Sequence, residues 1–239
     1  MKLTKIANVY QLTFLPNIFP VNCYLVEEDS ALLLIDTGLP NSYKGIIDVI
    51  EKLNKPLTSI LLTHAHEDHV GSLDKLKKRF PHVPVSISAR DNRILKGDKS
   101  LDSNEPQTPI KGGVPKNLLT KRDLLLKEGD RVGSLLVVAT PGHTPGSISF
   151  LDTRNQSLIA GDAMQTRGGI AVSGQVRPFF PFPAFGTWNK ELSLESVKKI
   201  ADLKPSLLAV GHGEMLQTPD PFIQKAIRQA EKKLALTAN

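Results

Sequence analysis

Cysteine is nearly absent from this sequence: Cys23 stands alone among 239 residues. One thiol excludes an intramolecular disulfide framework and fits a reducing, cytoplasmic setting. Cys23 lies in the apolar run Val21-Asn22-Cys23-Tyr24-Leu25-Val26, where a buried structural thiol is expected rather than a nucleophile. Long apolar runs are missing too. Nothing approaches the roughly 20 residues of a membrane span, so no membrane contact is expected. Asn8, Gln11, Thr13, Pro16 and Asn17 interrupt the N-terminal stretch, and no signal peptide is read there. With no Pro/Gly/Ser linker and no short-period repeat, the expectation is one domain over residues 1–239. A basic tail is lacking as well. The net charge is +6, but 15 of the Lys and Arg fall in residues 1–120 and 15 in 121–239. Dispersed charge is a solvated surface, and no specific nucleic-acid partner is expected from it.

Histidine, by contrast, is concentrated. Of six His, three stand in Thr63-His64-Ala65-His66-Glu67-Asp68-His69. The preceding Ile60-Leu61-Leu62 is apolar without alternation, the mark of a buried strand. Downstream, Val70, Leu73, Leu76 and Phe80 recur at helical spacing among Lys75, Lys77, Lys78 and Arg79. The motif therefore sits at a strand-to-helix junction. Residues two apart in an extended segment point the same way, so His64 and His66 can chelate one ion together. Asp68 and His69 fall where the chain turns into the helix and can face a second ion. The positive helix N-terminus suits a neutral His69 imidazole. Imidazole with carboxylate is a donor set suited to Zn²⁺ and tolerable for Fe or Mn.

The remaining chain supplies similar residues in similar settings. His143 lies in Thr140-Pro141-Gly142-His143-Thr144-Pro145-Gly146-Ser147, His212 in Gly211-His212-Gly213, and Asp162 ends Ser157-Leu158-Ile159-Ala160-Gly161-Asp162. Each follows an apolar run and sits beside glycine, which lets backbone come close to an ion.

This order of motifs, from Asp36 to His212, resembles the metallo-β-lactamase superfamily. The resemblance implies an α/β fold, a four-layer αβ/βα sandwich with a two-metal site at one edge. It implies His64, His66 and His143 on the first ion, Asp68, His69 and His212 on the second, and Asp162 bridging them. Asp36, in Asp36-Thr37-Gly38, is then a partner for the other ring nitrogen of a ligand histidine. Two zinc ions would share one hydroxide whose formation they favour, and Asp68 would orient it or take a proton.

Departures from the family's branches narrow the expected substrate. Antibiotic-destroying members put Cys or Ser where Asp162 stands. Glyoxalase II enzymes add a C-terminal helical region, and quorum-quenching lactonases use a Tyr after the bridging Asp; here the Tyr are Tyr10, Tyr24 and Tyr43. Transfer-RNA processing nucleases add an RNA-binding arm. The expectation is a hydrolase of a small ester, thioester or lactone. A mononuclear iron dioxygenase acting on a persulfide, a phosphodiesterase, and a non-enzymatic metal-binding module are the alternatives.

Around these motifs the pattern predicts strands at 6–10, 21–27, 31–35, 59–63 and 84–88, and helices at 42–54 and 70–80. A loop should run over 96–117, followed by four consecutive strands between 124 and 160. Helices at 191–203 and 221–236 flank a strand at 207–210. Residues 164–190 lack periodicity and read as a loop carrying Phe179, Phe180, Phe182, Phe185 and Trp188. Phe180 and Trp188 are its candidate substrate-wall residues; a subunit interface is the competing reading.

Overall fold

The computed structural model describes residues 1–237. In chain order the first half comprises β1 (Lys2–Ile6), β2 (Val9–Phe14), β3 (Val21–Glu27), β4 (Leu32–Ile35), α1 (Tyr43–Leu53), β5 (Leu57–Leu61), α2 (Glu67–Val70), α3 (Leu73–Arg79), β6 (Val85–Ser88), α4 (Ala89–Leu95) and β7 (Leu124–Leu126). The second half comprises β8 (Arg131–Val132), β9 (Leu135–Ala139), β10 (Ile148–Asp152), β11 (Ser157–Ile159), a 3-10 turn (Gly161–Ala163), β12 (Met164–Gln165), β13 (Ala171–Val172), α5 (Phe182–Gly186), α6 (Lys190–Asp202), β14 (Leu207–Ala209), β15 (Leu216–Gln217) and α7 (Asp220–Thr237).

Strands β1 to β7 form one sheet in sequence order, and a second runs β15-β14-β11-β10-β9-β8. Period-two alternation then builds four layers. In β3, Cys23 and Leu25 join the cluster that α1 and α3 cover, while Tyr24 and Val26 join the cluster between the sheets. In β4, Leu32 and Leu34 face the helices, and Leu33 and Ile35 face the other sheet. The second sheet mirrors this. Leu207 and Ala209 point inward, whereas Leu208 packs with Val197, Ile223 and Ile227 of α6 and α7. Strands buried on both faces read as unbroken apolar runs, which is why 60–62 shows no alternation. Among the described residues no helix is long and apolar enough to cross a membrane.

Several local expectations are corrected. The strand expected over 6–10 is a hairpin: Ala7 has φ +51°, and Ile6 pairs with Val9 across the turn. The helix expected over 70–80 is two. Gly71 N–H donates to Gly38 O (2.8 Å) and Ser72 Oγ to Leu39 O (2.6 Å), so the chain is tied to the 38–39 loop between α2 and α3. Helix α4 was not anticipated; Ser88 Oγ caps it by accepting from Asp91 N–H. Residues 164–190 are not all loop: Met164 pairs with Val172, Gln165 with Ala171, and α5 follows. Two-residue strands and a five-residue helix are too short to print a period.

Candidate metal centre

The candidate side chains leave the carboxyl ends of strands from both sheets. Asp36 follows β4, His64 and His66 follow β5, His143 follows β9, Asp162 follows β11 and His212 follows β14. The fold thus gathers residues far apart in sequence at one sandwich edge. Three overlapping groups result: His64, His66 and His143; His64, His69 and Asp162; Asp68, His69 and His212. Within each group the donor atoms lie within 4.8 Å of one another.

The ring tautomers follow from their partners. His69 Nδ1 donates to Asp36 Oδ2 (2.8 Å), and His212 Nδ1 to Pro20 O (2.7 Å). His66 Nε2 donates to Lys111 O (3.0 Å). His64 Nδ1 lies 3.0 Å from Thr63 Oγ1, whose proton goes to Asp36 Oδ2 (2.8 Å), so the ring nitrogen donates and the hydroxyl accepts. His143 Nδ1 meets Ser173 Oγ (2.9 Å), which is backed by Thr187 Oγ1 donating to Pro183 O (2.7 Å). Each imidazole can therefore give one N–H to oxygen and turn its other nitrogen into the centre, where His143 Nε2 and His66 Nδ1 approach to 2.9 Å. His64 Nε2, His69 Nε2 and Asp162 Oδ1 are buried there without a hydrogen-bond partner. Orphaned buried acceptors are costly in an apolar interior and are what a cation requires. The residues fit divalent metal ions.

Charge distribution gives the same reading. Burial, and then the neighbouring imidazoles, holds His64 well below the ordinary histidine range. Burial likewise pushes His143 down to about 3. At His69 and His212 burial opposes protonation, but the carboxylates, Asp162 foremost, outweigh it and raise both. Burial alone would raise Asp162; His212 and His69 hold it well below the usual carboxylate range. The side holding Asp68, Asp162, His69 and His212 attracts positive charge, which protons or metal cations can supply. Asp162 Oδ2 is 3.3 Å from His143 Nε2 and 3.2 Å from His212 Nε2, and its Oδ1 is 3.5 Å from His69 Nε2, so it lies between the two ends. Asp68 Oδ2 is 3.4 Å from His212 Nε2 and 3.9 Å from His69 Nε2.

Other residues that the motifs do not announce build the site. Fully buried Asp91 accepts from Ala65 N–H and Thr144 Oγ1 on Oδ2, and from Gly146 N–H on Oδ1, all at 2.8 Å. It locks the His64–His66 turn to the His143 loop. Asn22 and Tyr24 of β3 both donate to Val210 O, which sets the His212 turn. Gly211 has to be glycine: a Cβ there would come within 2.0 Å of Asp162 Oδ1. The advance sign of these roles is confined to Asn22, an amide inside the apolar run 21–26; Asp91 stands among Arg90, Asn92 and Arg93 and gives none.

A cavity of about 750 Å³ opens on the centre. His66, Asp68, His143, Asp162 and His212 form its floor; Phe19, Phe182, Pro183 and Phe185 form one wall. Phe180 and Trp188 do not line it. Phe180 is 1% exposed and packs behind the wall against Phe19, Phe182 and the His212 ring. Trp188 is 3% exposed, belongs to the first-sheet core, and donates through Nε1 to Thr108 O (2.8 Å). It fastens the 96–117 loop to the His143 loop, where its own N–H donates to His143 O (3.0 Å).

The sequence profile of the metallo-beta-lactamase superfamily matches residues 16–212. The chain belongs to that superfamily. Within it, the chain is 60% identical to the uncharacterized protein YobT of Bacillus subtilis over 232 residues, 97% of this chain and 100% of that one. It is 30% identical to the probable metallo-hydrolase YflN of Bacillus subtilis, over 87% of this chain and 81% of that one. It is 28% identical to a hydroxyacylglutathione hydrolase of Bartonella tribocorum, over 90% and 74% of the two chains. Among solved structures, TTHA1623 in a di-iron-bound form superposes with TM-score 0.65 at 25% identity, covering 88% of this chain and 95% of that one. The DIM-1 metallo-beta-lactamase reaches TM-score 0.71 at 15% identity, over 97% of each chain, a likeness of fold alone. The four-layer sandwich is thus the superfamily's fold, and a metal-dependent hydrolase is the general class to which this enzyme belongs.

Proposed function

We propose that this protein hydrolyses a small ester, thioester or lactone with two divalent ions, zinc before iron or manganese. The observation that carries the reading is the set of five imidazoles, each held at one nitrogen by an oxygen and turning its other nitrogen inward. In this reading His64, His66 and His143 hold one ion and Asp68, His69 and His212 the other, with Asp162 serving both. Ions bound there supply Lewis acidity toward a scissile carbonyl and toward water.

The chain's own residues do the rest. Asp36 fixes His69 directly and His64 through Thr63, so one carboxylate sets the tautomer of two rings. Asp68, half-buried at the cavity floor, can accept or return a proton beside the reacting carbonyl. Phe19, Phe182 and Phe185 exclude water from one side and seat an acyl group. The name of the Bartonella relative makes thioesters the first class to assay. The proposed setting is the cytoplasm, with a small molecule rather than nucleic acid as the partner.

A mononuclear iron dioxygenase acting on a persulfide is the second reading, and the di-iron-bound neighbour makes iron chemically relevant. It would use only one of the three donor groups. Elemental analysis after zinc reloading separates the two. Two ions per chain are expected, falling to one in Asp162→Asn with most of the hydrolysis lost. One ion in the unaltered protein, with persulfide-dependent oxygen uptake after iron loading and no ester hydrolysis, would select the dioxygenase.

A further inference from the structure

We propose that the cavity selects an acyl group that is apolar and uncharged beyond its scissile carbonyl, and turns away one whose far end bears a carboxylate. This inference rests on the hydrolase reading. It comes from a contrast between the chain and its cavity. The chain carries a net charge of +6, yet among the described residues no Lys or Arg lines the cavity. The ionisable lining side chains other than histidine are Glu67, Asp68, Asp74 and Asp162.

These carboxylates have different occupations. Asp68 and Asp162 stand among the imidazoles. Asp74 is turned to the chain: its oxygens accept from Leu119 N–H, Thr120 N–H and Thr120 Oγ1. Glu67 is exposed at the mouth, lying along Gly113, where an added Cβ would come within 2.8 Å of its Oε1. An incoming group therefore passes one unengaged carboxylate. The rings of Phe182 and Phe185, 52% and 64% exposed, line the same cavity.

The cations are near but elsewhere. Lys96, Lys99 and Lys116 line an adjoining groove that shares Glu67, Gly112, Gly113, Pro115 and Leu118 with this cavity, so Glu67 stands between the two and the lysines lie on the groove side. Arg167, next to the His212 turn, sends its guanidinium to Asn17 O (2.9 Å). With the scissile carbonyl seated at the metal floor, a carboxylate at the far end of the acyl group would lose water, meet phenyl rings and pass Glu67, with no cationic side chain to pair with. An alkyl or aryl acyl group loses nothing polar and buries apolar surface.

The test uses the zinc-loaded full-length protein and two matched p-nitrophenyl esters, the hexanoate and the adipate monoester with its terminal carboxylate. The hexanoate should have the higher kcat/KM by about tenfold or more. Glu67→Lys should shrink that ratio several-fold and Glu67→Gln by less, with melting curves confirming that both variants fold. Calorimetric binding of N-phenylhexanamide and its terminal carboxylate should follow the same order. Equal or better turnover of the adipate ester would overturn the charge selection and leave the hydrolase reading intact. No ester hydrolysis, but preferential binding of the neutral anilide, would overturn the hydrolase reading and sustain the charge selection. No hydrolysis together with equal or tighter binding of the carboxylated anilide would overturn both.

Discussion

The stretches 63–70 and 164–190 both reach the cavity, and they are built differently. In 63–70 each histidine is buried, and each ring is held at one nitrogen by an oxygen acceptor. In 164–190 the aromatic rings divide. Phe180 and Trp188 are buried and act as fasteners, while Phe182 and Phe185 remain exposed and face the cavity. The first stretch is organised to present lone pairs at fixed positions, the second to present apolar surface on a supported backing. Ligand geometry tolerates little displacement, whereas an apolar wall needs only area, so the two stretches spend their burial on different tasks.

Substituting one residue on each side should break the comparison most sharply. His64→Ala removes a donor whose Nε2 has no partner in the protein. Zinc affinity should fall by roughly a thousandfold, since binding free energies of about 10–16 kcal/mol are shared over three or four ligands. Phe185→Ala should leave zinc affinity unchanged and raise KM for apolar acyl substrates several-fold. Competition against a chromophoric chelator, with steady-state kinetics on the same preparations, reads both. Equal zinc loss in the two variants would mean the wall and the centre are one mechanical unit.

Within the aromatic stretch, fasteners and wall should separate by stability. Phe180→Ala and Trp188→Ala each empty a buried ring site and should cost about 3–5 kcal/mol in denaturant unfolding. Trp188→Ala also frees Thr108, so proteolysis in 96–117 should accelerate. If Phe180→Ala unfolds like the unaltered protein but loses substrate affinity, the ring belongs to the wall after all.

A smaller effect tests the reach of the 96–117 loop into the first stretch. Gly112 has φ +85°, and a Cβ there would lie 2.1 Å from His66 Nε2. Either the loop retreats or the ring turns, and both break the Lys111 carbonyl bond that fixes the tautomer. Gly112→Ala should weaken zinc binding by about tenfold, the lower end of what losing a ligand's supporting partner costs. Unchanged affinity alongside faster loop proteolysis would show that the loop covers the ring without holding it.

How much of this could be read in advance depends on how local each feature is. The candidate ligand motif is legible because His64 and His66 are two apart on an extended segment and their common side is a property of the backbone. The strands of both sheets are legible where burial on both faces leaves apolar runs, as in Leu61 and Leu62. The break at Gly71 and Ser72 is not, because the tie to Gly38 and Leu39 comes from another loop. Phe180 and Phe185 are the same residue type five positions apart in one Pro-rich segment, and nothing local says that one is buried and the other exposed.

The sequence by itself determined the donor types, the order of the motifs and the dispersal of positive charge, because these need only composition and near-neighbour spacing; the α/β class came through the resemblance those motifs carry. Tertiary structure alone decided that Asp36 serves both His64 and His69, that Asp91 joins the Ala65 turn to the loop at Thr144, and that Lys111 O fixes His66. It also decided that the cavity is lined by carboxylates in a basic chain. Each of these is a meeting of residues distant in sequence, and such meetings are set by how the two sheets pack rather than by any local preference of the chain.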